Sequence, residues 1–200
     1  MLLLNNLMKK IYLGLGIIIV LIFAAYFFFL SQPTVVAFGD SLTEGVGSEI
    51  GGGFVSILSS ELGRPIINLG VSGDTTEKAL KRLNDVLLKK PAITILLLGG
   101  NDALQKVPEE TTITNLKKII ETLQASGSKV LLLGLEENGD NAHDRALFQS
   151  LSDAYKLLYV PNILSGITGH SALMSDSLHP NDLGYRIMAD KIKPILEAAL

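Results

Sequence analysis

Cysteine is absent from the 200-residue chain, which excludes a disulfide framework, a zinc knuckle and a thiol nucleophile. Charge is scarce: Asp, Glu, Lys and Arg make up 18% of residues against 48% hydrophobic. That balance excludes a disordered chain. The net charge of −3 offers no basic face of the kind nucleic-acid binding requires. No acid precedes Asp40, and Lys9 and Lys10 are the sole charges in that stretch. Familiar chemistries are missing too. There is no G-x-S-x-G elbow, no P-loop lysine and no H-E-x-x-H, and Gly45-Val46-Gly47 does not continue into a dinucleotide fingerprint.

What is present begins with an uncharged run of 20 residues, Ile11–Leu30. At about 1.5 Å per residue a helix of that length spans a hydrocarbon core. Lys9 and Lys10 before it place the N-terminus in the cytoplasm and the remainder outside. A cleaved signal peptide is the rival reading, but Ser31 pairs with Phe29 and Ala25 with Phe23 where cleavage wants two small residues. The favoured organisation is a cytoplasmic n-region at 1–10, a transmembrane anchor at 11–30, a linker at 31–33 and a soluble domain at 34–200. The expected location is the inner membrane, single-pass, with the soluble domain on the extracytoplasmic side.

The soluble part alternates strand and helix patterns. Thr34–Phe38, Ile66–Leu69, Ile93–Leu98, Val130–Leu135 and Leu157–Val160 read as buried strands. Helical patterns fall at Phe54–Leu62, Thr75–Lys90, a stripe of Ile113, Leu116, Ile120 and Leu123, Ala146–Tyr155, and Asn181–Leu200. The alternation predicts right-handed crossovers and a three-layer α/β/α sandwich around about five parallel strands. Ligands of such sheets bind outside the carboxyl ends of the strands.

Four polar clusters fall there. Gly39-Asp40-Ser41-Leu42 follows the first strand, Asn68 to Asp74 the second, and Gly99-Gly100-Asn101-Asp102 the third, while Asp176-Ser177-Leu178-His179-Pro180 precedes the last helix. The set suits acyl transfer. A serine hydroxyl needs a base, histidine serves near neutral pH, and a carboxylate fixes its tautomer. Asp176 lies three residues before His179, so one turn can bring carboxylate to ring. Gly73 can present a bare backbone N–H and Asn101 a side-chain N–H, where both could meet the Ser41 N–H on a developing oxyanion.

These residues closely resemble the SGNH, or GDSL, family of serine hydrolases, whose four letters correspond to Ser41, Gly73, Asn101 and His179. The resemblance covers Thr34 to Leu200 and is nearest to the small bacterial acyl thioesterases, arylesterases and lysophospholipases. It implies Ser41 as nucleophile, His179 as base, Asp176 as orienting acid, and Gly73 with Asn101 as oxyanion donors. It also implies a flavodoxin-like fold, a small-molecule or lipid ester substrate, and neither metal nor cofactor.

Other residues read more plainly. Asp40 and Asp102 are expected to bind loop N–H groups, Glu44 to be solvated, and His143 and His170 to face solvent. Asp140–Asp144 reads as a polar surface loop rather than a calcium site. Pocket walls are expected from Ala103–Glu109 and Glu136–Asp144. Alternatives to the esterase are an envelope carbohydrate O-deacetylase, a silent membrane-tethered binding module and a nucleotide-binding flavodoxin-like protein.

Overall fold

Five short apolar segments pair in parallel: β1 (Val35–Gly39), β2 (Ile66–Gly70), β3 (Ile93–Leu97), β4 (Lys129–Leu133) and β5 (Leu158–Val160). They form one sheet of order β2-β1-β3-β4-β5. This computed structural model describes residues 12, 14–23, 32–135 and 142–200, the side chains at 142–145 excepted. Between the strands run α1 (Ser41–Glu44), α2 (Gly53–Glu61), α3 (Thr76–Lys81), α4 (Leu83–Leu87), α5 (Gly100–Leu104), α6 (Glu109–Ala125) and α7 (Ala142–Tyr155), and α8 (Asp182–Ala199) follows β5. The predicted sandwich and its five parallel strands are therefore present.

Side chains of successive strand residues leave opposite faces of a sheet, and two cores follow from that period. Val35, Ala37, Ile93, Ile95 and Leu97 pack with Phe54 and Leu58 of α2 and with Tyr185, Met188, Ile192 and Leu196 of α8. Val36, Phe38, Leu96 and Leu98 pack with α3, α4, α6 and α7 through Ala79, Val86, Leu116, Ile120 and Phe148. Both faces of the inner strands are covered, so β1 and β3 read as largely apolar runs. Thr94 is the polar exception on β3, and its hydroxyl lies 2.9 Å from that of Ser128.

Three expectations shift. The single helix over Thr75–Lys90 is two helices interrupted at Arg82, whose backbone stands at φ −110 and ψ 13. Ile119 rather than Ile113 completes the buried stripe of α6, and α7 begins at Ala142, so His143 and Asp144 lie in a helix, not a loop. Of the expected anchor, residues 12 and 14–23 are described and helical; the full 20-residue span lies outside the described residues. Among the described residues no helix is long and apolar enough to cross a membrane. Met1–Gln32 and Pro33–Leu200 are separate units.

Strand β1 ends under tight constraint. A Cβ at Gly39 would fall onto the Thr43 hydroxyl and the Leu97 carbonyl oxygen, because α1 folds back over the strand end. Gly39→Ala is expected to lower the unfolding free energy by about 1–3 kcal/mol, the usual cost of overpacking. Urea denaturation checks this, and an unchanged midpoint would mean that β1 and β3 separate freely.

Candidate active site

β1 hands the chain to α1 through Asp40, whose Oδ1 accepts the Leu42 N–H at 3.1 Å and caps the helix. That cap puts Ser41 on the first turn, half-buried, at the carboxyl edge of the sheet. Its Oγ lies 3.0 Å from His179 Nε2. His179 Nδ1 lies 2.8 Å from Asp176 Oδ2.

The segment before α8 holds its own geometry. Met174 and Pro180 form an antiparallel bridge, and the Ser175 N–H donates to the His179 carbonyl at 2.8 Å. Asp176 Oδ1 accepts the N–H groups of Leu178 and His179 at 2.7 and 2.8 Å. The hydrogen bond from the His179 ring, aided by these two N–H groups, lowers the Asp176 carboxyl to about pKa 2. An ionised carboxylate can only accept. Nδ1 therefore carries the ring proton, and Nε2 is left with a lone pair for the Ser41 hydroxyl.

Opposite this line stand the other predicted residues. Val71 to Asp74 closes as a turn, the Asp74 N–H donating to the Val71 carbonyl at 3.2 Å. Gly73 is its third residue at φ +77, the position where a type II turn demands a left-handed residue. Asn101 lies in α5, and its Nδ2 donates to the Asp74 carbonyl at 3.0 Å and to Asp40 Oδ2 at 3.4 Å. The structure thus brings Ser41, His179 and Asp176 into one hydrogen-bonded line. It sets Asn101 against the residues that follow Gly73 and precede Ser41.

Buried polar groups brace these loops. Asp102 Oδ2 accepts the Thr76 N–H at 2.8 Å and its Oδ1 the Thr76 hydroxyl at 2.5 Å, as expected of a structural carboxylate. Arg82 Nε donates to Asp74 Oδ2 at 2.6 Å and Nη2 to the Gly39 carbonyl at 2.9 Å. The Tyr185 hydroxyl donates to the Val46 carbonyl at 2.6 Å. Sequence reasoning missed Arg82 and Tyr185; each had read only as part of a helical pattern. Glu44 is a correction, for its Oε2 accepts the Ser72 N–H at 2.6 Å although the residue is exposed. His170 is exposed, and the side chain of His143 lies outside the described residues. Asp140 and Asn141 of the polar loop also lie outside them, and among the described residues no acidic or histidine cluster is arranged to hold a metal.

A cleft of about 140 Å³ lies beside Asn101, lined by Gly99, Gly100, Ala103, Val107, Leu147 and Phe148 among others. Residues of the predicted wall Ala103–Glu109 contribute to it. The second predicted wall, Glu136–Asp144, falls largely outside the described residues.

Two carboxyls flank His179 with opposite titration. Burial raises Asp40 to about pKa 6, against lowering by the Leu42 N–H, whereas Asp176 is lowered. An acid raised in the folded state costs stability as pH climbs from its unfolded value toward its folded one. A lowered acid loses its contribution as pH falls. The stability gap between the protein and Asp176→Asn should therefore close between about pH 4 and 2. Asp40→Asn should flatten the change between about pH 4 and 6. Urea unfolding across pH 2–7 measures both, and identical profiles for all three proteins would remove these assignments.

Comparison with known proteins agrees with this geometry. Residues 37–187 match the model of the GDSL-like lipase/acylhydrolase family. The chain is 29% identical to esterase TesA of Pseudomonas aeruginosa, over 85% of this chain and 90% of that protein. It is 24% identical to thioesterase 1/protease 1/lysophospholipase L1 of Escherichia coli K12, over 80% of this chain and 81% of the other. The crystal structure of the psychrotrophic esterase EstA from Pseudoalteromonas sp., inhibited by monoethylphosphonate, superimposes with a TM-score of 0.74. That pair shares 26% identity over 84% of this chain and 98% of the other.

Proposed function

The chain belongs to the GDSL-like lipase/acylhydrolase family and is a serine ester hydrolase; from that premise we propose that it works through an acyl-enzyme on Ser41. The observation that carries this reading is the line Ser41 Oγ–His179 Nε2 at 3.0 Å and His179 Nδ1–Asp176 Oδ2 at 2.8 Å. Ser41 Oγ attacks the ester carbonyl carbon while its proton passes to Nε2. The resulting imidazolium is stabilised by ionised Asp176. His179 then gives the proton to the departing alkoxide or thiolate, leaving acyl-Ser41. Water repeats the sequence: its proton goes to Nε2, its oxygen takes the acyl group, and Ser41 recovers its hydrogen.

The negative charge on the carbonyl oxygen is met by the N–H groups of Ser41 and Gly73 and by Asn101 Nδ2. Asn101 has one Nδ2 hydrogen bond at 3.0 Å and a second partner only at 3.4 Å. The weaker of the two is the one an oxyanion can take over. Neither a metal nor a cofactor has a part in these steps.

Carboxylic oxyesters are the favoured substrates, with acyl thioesters next; the names of the E. coli relative cover both thioesterase and lysophospholipase. The cleft of about 140 Å³ takes the acyl chain. At roughly 30 Å³ per water-sized group it has room for about four or five such groups. The run Ile11–Leu30 tethers the enzyme to the inner membrane with the catalytic domain outside. Support for that comes from the uncharged sequence behind Lys9 and Lys10 and from the exposed apolar side chains of the helical residues 15–23.

A fluorophosphonate should label Ser41, located by peptide mass. Ser41→Ala should lose at least about 10³-fold in kcat with an unchanged thermal midpoint. Activity within tenfold of the parent would overturn the assignment. Ala103→Phe should block the cleft from an exposed position. A hexanoyl ester should then lose at least about tenfold in kcat/KM relative to an acetyl ester, and an unchanged ratio would place the acyl chain elsewhere.

A further inference from the structure

We propose that Arg82 is the positioning residue of the oxyanion hole: one guanidinium under the site fixes the spacing among Ser41, Gly73 and Asn101. The proposal rests on the reading of Gly73 and Asn101 as oxyanion donors. Arg82 sits at the single-residue break between α3 and α4, and its guanidinium reaches back toward the strand ends. Nε donates to Asp74 Oδ2 at 2.6 Å. Nη2 donates to the Gly39 carbonyl at 2.9 Å. The guanidinium carbon lies 4.5 Å from the centroid of the Phe38 ring.

Each donor is one short step from a group that Arg82 holds. Gly39 is separated from Ser41 by Asp40 alone, and Gly73 directly precedes Asp74. Asn101 Nδ2 donates to the carbonyl of that same Asp74. A closed path therefore runs from the end of β1 through Arg82 and Asp74 to Asn101, with Asp40 Oδ2 at 3.4 Å from the amide on its far side. Movement of Asp74 displaces two donors together. A shift of about 1 Å at such a site costs on the order of 10²-fold in rate.

The other fasteners of this turn are weaker candidates. Lys78 Nζ donates to the Gly73 carbonyl at 3.0 Å, and Glu44 accepts from Ser72. Both lie at the exposed surface, where solvent screens them. Asp74 and Arg82 are 7% and 19% exposed at their side chains, so their bond is short of competing water. A lysine could satisfy Asp74 as a point charge. The planar fork alone reaches two separate acceptors while lying over an aromatic ring.

The test is a cycle of Arg82→Lys, Asp74→Asn and Asn101→Ala, each alone and with Asn101→Ala added to the first two. Kinetics are taken on a soluble ester, together with affinity for a trifluoromethyl ketone that adds to Ser41 as an oxyanion. Asn101→Ala should lose about 10²–10³-fold in kcat. Arg82→Lys keeps the charge, and Asp74→Asn keeps the carbonyl that Asn101 uses. Each should lose about 10–100-fold in kcat with KM within about twofold, and ketone affinity should fall in parallel. Added to Asn101→Ala, each should cost less than about threefold more, because the donor to be aimed is gone. Full kcat in Asn101→Ala would overturn the oxyanion reading, and this proposal with it. A weakened Asn101→Ala beside full kcat in Arg82→Lys and Asp74→Asn, or losses equal in both backgrounds or carried by KM, would overturn the role of Arg82 alone.

Discussion

Three parallel strands stop at one level, and the site depends on it. Gly39 lies opposite Gly70 on β2 and opposite Leu97 on β3, so the loops carrying Ser41, Gly73 and Asn101 leave the sheet side by side. The order β2-β1-β3 makes β1 the switch point, where successive connections run to opposite faces and open a crevice. At its edge α1 turns straight back over the ends of β1 and β2. Gly70 shows the same crowding as Gly39, since a Cβ there would fall onto the Glu44 backbone nitrogen. Glycine at these two positions is a steric requirement of having three loops converge, apart from any flexibility.

Local pattern revealed what local forces decide. Ser41, Gly73, Asn101, Asp176 and His179 were legible because each follows a strand or precedes a capped helix, and because Asp176 and His179 lie within one turn. The strands were legible within about two residues because β1 and β3 are buried along their whole length and their apolar runs are nearly continuous. Arg82 was not legible, since its partners Asp74 and Gly39 lie 8 and 43 residues away. Helical periodicity predicts a continuous helix there and carries no information on a guanidinium drawn beneath a sheet. Tyr185 was hidden for the same reason: its acceptor Val46 is 139 residues distant. Glu44 looked solvated because an exposed acid usually is, and only the folded turn at Ser72 gives it a partner.

The electrostatics divide labour between two carboxyls of similar intrinsic acidity. Asp176 is half exposed yet remains ionised to about pH 2, because a ring nitrogen and two backbone N–H groups favour its charge. Asp40 is buried and raised to about 6, since desolvation outweighs the backbone N–H groups of Leu42 and Asp40 that favour its charge. Pairs of acids driven apart by their surroundings take different tasks. Asp176, ionised throughout the neutral range, suits the support of an imidazolium. Asp40, whose Oδ1 caps α1 and whose Oδ2 stands near Asn101, suits the holding of backbone and amide.

In the proposed mechanism, acyl group and carbonyl oxygen meet one short segment. Gly99 adopts φ +114 at the end of β3, a left-handed turn that carries the chain from sheet into α5 and sends Asn101 toward Asp40 and Asp74. Two residues on, Ala103 lines the apolar cleft, and Val107 continues it. Gly100 stands between the two regions: a Cβ there would lie 3.4 Å from Leu135 Cδ1 and 3.8 Å from Asp40 Oδ2. Asp102 is the buried anchor of this segment, its carboxylate bound to Thr76 of α3 and to Thr112, which itself lines the cleft. On the proposed mechanism the side chains of Ala103 and Val107 bear on the fit of the acyl chain, while the bonds of Asp102 to Thr76 hold the segment that carries Asn101. The same covalent segment then bears on chain-length preference on one side and on transition-state charge on the other, with the buried carboxylate of Asp102 as the anchor between them.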